Sequence, residues 1–348
     1  MNPVLRVLSA GPAVSVQDLG RPGYQRYGVT EGGVVDAFAY REGSALLGQA
    51  SELAVLEFYG LGGRFQAEYG AVDVALTGAC FRASVDGTPV VWRSAFRLEE
   101  GQVLDIGGAS GGAYGYLSVA GGFDVPMAMG ARATHVKAGF GGYQGRMLQA
   151  GDCLKIGDGP ARSKLGEALP EPGYFGRSVI RILWGAQAHY YSEDERARFL
   201  ATEFQVSSKR DRMGVRLDFA ADPFNTEMAL SGTSDAISLG DIQIPGDGFP
   251  AVLLADRQPT GGYPRIATVI GADLNALAQL PSGSRFRFQL VDEETALGCL
   301  SRFRAELERL PSLSTPLLRD PSEMDDLLSY QLISGAVADG DMLPWDRD

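Results

Sequence analysis

The stretch LLADRQPTGGYPRIATVI, residues 253–270, holds a short apolar run, a polar connection and a second apolar run. Both apolar runs, Ala251–Ala255 and Ile266–Ile270, are too short for helices and rich in large aliphatic residues, which predicts two buried strands. Asp256, Arg257, Gln258, Thr260, Gly261, Gly262, Tyr263 and Arg265 crowd the connection between them. A plain turn does not need that density of polar groups, and a connection held at both ends by core strands is where binding groups are usually carried. The glycine pair lets backbone N–H groups approach a ligand and form a nest for a carboxylate, an oxyanion or a phosphate. Arg265 can fork onto a carboxylate, while Gln258, Thr260 and Tyr263 offer neutral donors and acceptors suited to an amide or ureido group. The plainer account is a tight turn with Tyr263 packed inward and Arg265 in solvent.

Around this stretch the same alternation of short strands and turns recurs. VDVALT from Val72, AYGYLSVA from Ala113, VIRILW from Val179 and RFRFQLV from Arg285 all read as strands, and 46 glycines with 18 prolines punctuate them. Helices are fewer: Asp36 caps AFAYREGSALLG, EDERARFLATEF begins at Glu193, and DEETALGCLSRFRAELERL begins at Asp292. In the last, Leu297, Leu300, Phe303, Leu307 and Leu310 recur at helical spacing and define an expected buried face, stopped by Pro311. The pattern predicts a mainly β chain with a few helices, built as barrels or sandwiches. A length of 348 residues suits two domains, and the Pro- and Gly-dotted segment between Gly157 and Gly176 places the boundary near residue 170, giving domains 1–170 and 171–348.

Composition narrows the function classes. Forty-three acidic against 31 basic side chains give a net charge of -12, a field that repels phosphate backbones and anionic lipid, so nucleic acid is not an expected partner. No apolar run approaches the length that spans a bilayer, and MNPVLRVLSAGP has no basic segment followed by an apolar one, so neither a membrane anchor nor a signal peptide is expected and the cytoplasm is the expected compartment. Cys80, Cys153 and Cys299 are an odd, widely spaced set that predicts reduced thiols. The acidic tail from Asp320 to Asp348 reads as a solvated surface, with LLSYQLISGAVADG from Leu327 as a terminal strand or clasp.

Only His135 and His189 are available to a catalytic triad, and neither lies in a nucleophile-elbow sequence. No His pair at helical spacing and no CxxC occurs, so no metal ligands are expected. GLGG from Gly60 and GGASGGAYG from Gly107 match neither GxGxxG nor GxxxxGK[ST], and read as turns.

Three further stretches place small residues beside converging polar ones. SVQDLGRPGYQRYG from Ser15 carries Gln17, Asp18 and Arg21; ARATHVKAGFGG from Ala131 carries Arg132, Thr134, His135 and Lys137; SSKRDRMGVRL from Ser207 carries Arg210, Asp211 and Arg212. An Asp18 to Arg21 contact that only pins the turn competes with a ligand contact, and His135 competes between a structural role and that of a base.

Taken in order, VQDLGRPGYQRYGV, ALTGA at Ala75, LSVAGGFDVP from Leu117, THVKAGFGG from Thr134, DRMGVRL from Asp211 and LLADRQPTGGYPRIATVI resemble the biotin-dependent carboxyltransferase family. That family includes allophanate hydrolase subunit 2, the carboxyltransferase domain of urea carboxylase and the C-type chain of prokaryotic ATP-dependent 5-oxoprolinases. The resemblance implies two cyclophilin-like β-barrel domains acting on a small amide or ureido compound beside two partner chains, a smaller B-type one and an A-type one. Departures lie next to the presumed site: Pro259 stands where the family usually has Thr, Arg257 where His is frequent, and Glu31-Gly32-Gly33 where Pro-Ser-Gly is common.

Within the resemblance, a stand-alone chain is most similar to the 5-oxoprolinase member, which opens a lactam to glutamate using ATP shared with partner subunits. Gln17, Asp18, Arg21, Arg132, Thr134, Arg212, Gln258, Thr260, Gly261, Gly262 and Arg265 are then substrate-binding candidates, with Arg212, Arg265 and the Gly261–Gly262 amides facing developing negative charge. The alternative is carboxyl transfer to urea from carboxybiotin on a separate carrier, with Thr260 and Tyr263 holding the ureido oxygen and Asp256 or His135 as base. Asp256, Tyr263 and His135 are the catalytic candidates in either case. A different class, a non-catalytic regulator of a kinase-inhibitor-like partner, is a further alternative.

Overall fold

The computed structural model describes residues 2–50, 52–158, 163–225 and 234–318. The acidic tail and the LLSYQLISGAVADG segment lie outside the described residues. The expectation of a mainly β chain holds: among the described residues, most of the regular secondary structure lies in two large sheets.

The first sheet has nine strands. Its path runs Ser15–Gln17, Val55–Tyr59, Val103–Val119, Leu61–Glu68, Val4–Ala10 and Cys153–Lys155. The long strand Val72–Val85 pairs antiparallel with Val103–Val119, and register shifts between Gly78 and Ala83 bend this pair. One face buries Val7, Phe58, Phe65, Leu76 and Leu117 in a shared core.

The second sheet closes into a barrel of seven strands, in the order Val179–Trp184, Arg265–Val269, Asp241–Gln243, Ala251–Leu253, Gly214–Asp218, Glu203–Asp211 and Arg285–Leu290. Closure comes from the parallel pairing of Val179–Ile182 with Arg287–Leu290, which leaves no open edge. The period of two is plain in Arg285–Leu290, where Phe286 and Phe288 point into the core and Arg285 and Arg287 face out. Phe199 stacks on Phe288 at 5.2 Å, and Phe286 meets Phe288 edge-on at 5.1 Å. Truncating such a ring to Ala costs roughly 3–5 kcal/mol.

Among the described residues, four α-helices pack on these sheets: α1 (Ala37–Leu46), α2 (Glu193–Ala201), α3 (Leu274–Gln279) and α4 (Glu293–Arg309). Asp36 caps α1 by accepting from the N–H groups of Phe38 and Ala39 at 3.1 and 3.0 Å. Ser192 and Asp292 cap α2 and α4 in the same manner. In α4 the expected buried face is narrower than its spacing suggests: Phe303 and Leu307 pack on the barrel core, but Leu297 is 64% exposed.

Helix α1 joins the two sheets. Phe38 and Ala45 enter the barrel's core, whereas Ala39 and Tyr40 pack with Val55, Tyr114 and Tyr116 of the first sheet. Gln279, at the end of α3, repeats the connection: its Oε1 accepts from the N–H groups of Ala113 and Tyr114, and its Nε2 donates to Tyr114 O and Asp36 Oδ2. Residues Met1–Thr315 accordingly form one compact unit. Cys80, Cys153 and Cys299 are free thiols, and no described helix is long and apolar enough to cross a membrane.

Candidate active site

The barrel strands Glu203–Asp211 and Gly214–Asp218 are joined by a tight turn that carries Arg212 and Met213. Asp211 pins this turn by accepting from Met213 N at 2.7 Å. The N–H of Asp256 donates to Arg212 O at 2.8 Å, so the backbone itself sets the two residues side by side. Arg212 then forks onto the Asp256 carboxylate, with Nε to Oδ2 at 2.8 Å and Nη2 to Oδ1 at 3.0 Å. Its Nη1 bonds Glu57 Oε1, and its Nη2 also bonds Gly33 O at 2.6 Å.

From Glu57 the network continues inward. Glu57 Oε2 accepts from Val35 N at 2.7 Å and from the Tyr116 hydroxyl at 2.8 Å, and the Tyr116 oxygen accepts from Asp36 N at 2.8 Å. Asp36 Oδ2 in turn accepts from Tyr174 Oη and Gln279 Nε2, each at 2.7 Å. Burial by itself would push the Arg212 guanidinium down, yet the adjoining Glu57 and Asp256 carboxylates outweigh it and hold Arg212 above its usual value. Burial pushes the Glu57 carboxyl up, opposed by Arg212. With two carboxylates on one guanidinium, the direction that governs is the firmly charged Arg212.

This network ends at a cleft between the two sheets, with a volume of about 280 Å³. The first sheet and its loops supply Tyr59, Tyr114, His135 and Lys137; the barrel supplies Arg210, Arg212 and Asp256. His135 is half-buried, and its Nδ1 accepts from Ala138 N at 3.3 Å. A neutral imidazole so bound carries its proton on Nε2 and acts as a donor through that atom.

Of the residues singled out in the sequence, Arg212, Asp256 and His135 therefore line one cleft. Gln17, Asp18, Arg21, Arg132 and Thr134 gather behind it, in contacts between the first-motif loop and the segment after Ala131. Gln17 Nε2 bonds Ser15 Oγ and Thr134 O, and Thr134 Oγ1 bonds Val16 O at 2.7 Å. Asp18 accepts from Gly20 N and Arg132 N, which pins the turn, while Arg132 Nε bonds Val125 O at 3.1 Å. Arg21 is almost wholly buried, lies 4.8 Å from the Phe140 ring and bonds Ala133 O, while its Nε and Nη1 have no partner among the described residues.

The glycine-paired bend is elsewhere on the barrel. Thr260–Gly261 pairs with Asp235–Ala236, and neither Gly261 nor Gly262 adopts a left-handed φ. A Cβ at Gly261 would meet Ile237 Cδ1 at 2.6 Å and Gln243 Nε2 at 2.8 Å, two side-chain ends that would have to shift to admit it. Gln258 Nε2 bonds Gln243 Oε1 at 3.3 Å, and Tyr263 is 43% exposed. Arg265 is occupied by Gln187, Ala236 O, Asp235 and Asp241. Gln25 links this bend to the first-motif loop, donating to Ile237 O at 2.7 Å and Pro259 O at 2.9 Å.

Sequence reasoning missed Glu57, Tyr59, Tyr114 and Tyr116. All sit in strands that read as core, and the one available signal was an acid in the middle of the apolar run AVLEFYG.

The closed barrel, the bent nine-stranded sheet and the charged cleft between them define a class. The family model described as "Carboxyltransferase domain, subdomain A and B" matches residues 27–290, and the chain belongs to this family. Among relatives, the C-type chain of the Haemophilus influenzae 5-oxoprolinase is 37% identical over 297 residues, which is 84% of this chain and 93% of that protein. A putative urea carboxylase of Emericella nidulans is 32% identical over 321 residues, 88% of this chain but 25% of that protein. The crystal structure of the Kluyveromyces lactis urea carboxylase superposes with a TM-score of 0.82 at 24% identity, covering 92% of this chain and 31% of that one, a likeness of fold. The chain thus spans under a third of either urea enzyme and nearly all of the 5-oxoprolinase chain.

Proposed function

We propose that this protein is the C-type chain of an ATP-dependent 5-oxoprolinase and that the cleft lined by Arg212, Asp256 and His135 holds the lactam that the complex opens to glutamate. The observation that carries the reading is the 37% identity to the C-type chain of a 5-oxoprolinase along 93% of that protein's length.

The cleft supports it in size and chemistry. About 280 Å³ is small beside the roughly 300–1,000 Å³ of most ligand pockets and suits a compact cyclic amide. Every N–H-bearing nitrogen of Arg212 is already bonded to Glu57, Asp256 or Gly33, which leaves this guanidinium little to offer a phosphate. The phosphate contacts are therefore assigned to the A-type and B-type partner chains, and this chain's part is to hold and orient the amide.

Asp256 is held in place by the Arg212 fork, and each of its oxygens retains a lone pair able to accept a substrate N–H. His135 Nε2–H is a donor to substrate oxygen. Both groups are fixed before substrate arrives, which is the arrangement that lowers the reorganisation needed as charge develops on the amide. Such a complex belongs in the cytoplasm.

Coexpression with the partner chains tests the reading. Glutamate release coupled to 5-oxoproline-dependent ATP hydrolysis is expected; a complex that ignores 5-oxoproline refutes it. The match to the Emericella nidulans putative urea carboxylase supports the second reading, carboxyl transfer to urea. That reading gains the field if urea is carboxylated when biotin carboxylase and a biotin carrier are supplied.

A further inference from the structure

Tyr114 is 1% exposed, lines the cleft, and its hydroxyl has no hydrogen-bond partner among the described residues. Its backbone is fully engaged by Gln279, so the residue is held in place without any help from the hydroxyl. A buried hydroxyl without a partner costs roughly 1–3 kcal/mol, and a folded protein retains such a group where something outside the free chain completes it.

The surroundings say what that something is. Tyr59 packs on Tyr114 with ring centroids 5.3 Å apart, and the Arg210 guanidinium lies 5.4 Å from the Tyr59 ring and 5.8 Å from the Tyr114 ring. Arg210 is itself anchored through Nη1 and Nη2 to Leu280 O and Ala278 O, which leaves its buried Nε–H as a second donor without a partner among the described residues. The charges that bear on the Tyr114 hydroxyl are those of Arg210, Glu57 and Arg212, which sets the hydroxyl among the polar groups of the site. Burial first, then Glu57, hold the phenol above its usual value, so it stays protonated and serves as a donor.

We propose that the Tyr114 hydroxyl, seconded by Arg210 Nε–H, donates to the carbonyl oxygen of the planar amide bound in the cleft. The inference rests on the amide-binding reading of this cleft and adds the group that recognises the carbonyl. Two aromatic rings beside two donors suit a flat amide carbonyl group, with Asp256 on the cleft wall left to accept the amide N–H. As the carbonyl oxygen gains negative charge, the same two donors strengthen their hold on it.

The test is Tyr114→Phe in the full chain, assembled with its partner chains. Because the hydroxyl has no partner to lose, the Tm of the variant chain is expected to equal or exceed that of the wild type. In the complex, KM for 5-oxoproline is expected to rise roughly 10-fold, with kcat falling less, the effect of one lost hydrogen bond to substrate. Competitive inhibition by 2-pyrrolidinone, which has the lactam but no carboxylate, should weaken by a similar factor.

An unchanged KM overturns the proposal. So does a Tm loss of several degrees, since the hydroxyl would then have a partner in the free protein. Weakening confined to 5-oxoproline and absent for 2-pyrrolidinone also overturns it, because the hydroxyl would be meeting a carboxylate. A complex that turns over urea and not 5-oxoproline ends the 5-oxoprolinase reading alone, and Tyr114 is then judged by KM for urea. A complex active on neither is judged by titration with 2-pyrrolidinone, where tighter binding to wild type than to the variant supports the role and no difference, or no binding, overturns it.

Discussion

Arg212 and Glu57 lie 155 positions apart in the chain and meet as a buried ion pair that ties the barrel to the first sheet. Arg212 is bonded on its other edge to Asp256, so the contact that stabilises the junction also fixes a wall of the cleft. Glu57→Ala would strand one bond of the guanidinium and leave the Val35 N–H and the Tyr116 hydroxyl without their acceptor. Breaking such a pair costs roughly 3–5 kcal/mol, and that loss is expected in urea unfolding. A loss below about 1 kcal/mol would mean that the pair contributes little to joining the sheets.

Gly33 links backbone geometry to the same guanidinium. Its φ is +85°, its carbonyl accepts from Arg212 Nη2 at 2.6 Å, and a Cβ there would meet Gly20 N at 2.7 Å. Gly33→Ala is therefore expected to lower stability by roughly 1–3 kcal/mol and to reduce turnover of the complex with it. Differential scanning calorimetry beside an activity assay checks both. A Tm equal to wild type would show that the loop yields without strain.

Glu42 supplies a pH signature. Burial pushes its carboxyl up to about 7 from an ordinary 4.5, against the pull of Arg93, whose Nη1 lies 2.6 and 2.8 Å from the two oxygens. The folded state holds this proton more tightly than the unfolded chain, so the contribution is complete below pH 4.5 and is lost as pH rises through about 7. Burial also raises Asp36 and Glu57, which slope in the same sense. Glu42→Gln keeps a neutral side chain at every pH, and its Tm should fall less than that of the wild type between pH 4.5 and 7. Parallel Tm curves would contradict the assignment.

The sequence reveals the parts of this protein that local rules control. Asp36, Ser192 and Asp292 mark helix starts because a cap is a local hydrogen bond, and Phe286 and Phe288 mark a strand because alternation is local too. Helix α3 escaped notice, since six residues are too few to show a period. Leu297 kept helical spacing and yet faces out, because spacing names a face without saying how much of it a neighbour covers. At the site, Arg212, Asp256 and His135 were legible as polar residues in glycine-rich turns. Their partners Glu57, Tyr114 and Tyr116 were not, because each is one polar group on a side chain that a strand pattern assigns to the core. Which loops meet was set by α1 and Gln279 bridging two sheets, a relation carried by positions up to 243 residues apart.

Central to the proposed function is that Asp256 works in the cleft on substrate, beyond its contact with Arg212. Asp256→Asn preserves the shape of the side chain and removes the charge, so the complex should still assemble. The decisive measurement is 5-oxoproline-dependent ATP hydrolysis by that assembled variant complex. A loss of roughly 100-fold or more in kcat/KM, about 2.7 kcal/mol of transition-state stabilisation, is the predicted result. Wild-type turnover in an assembled Asp256→Asn complex would contradict it.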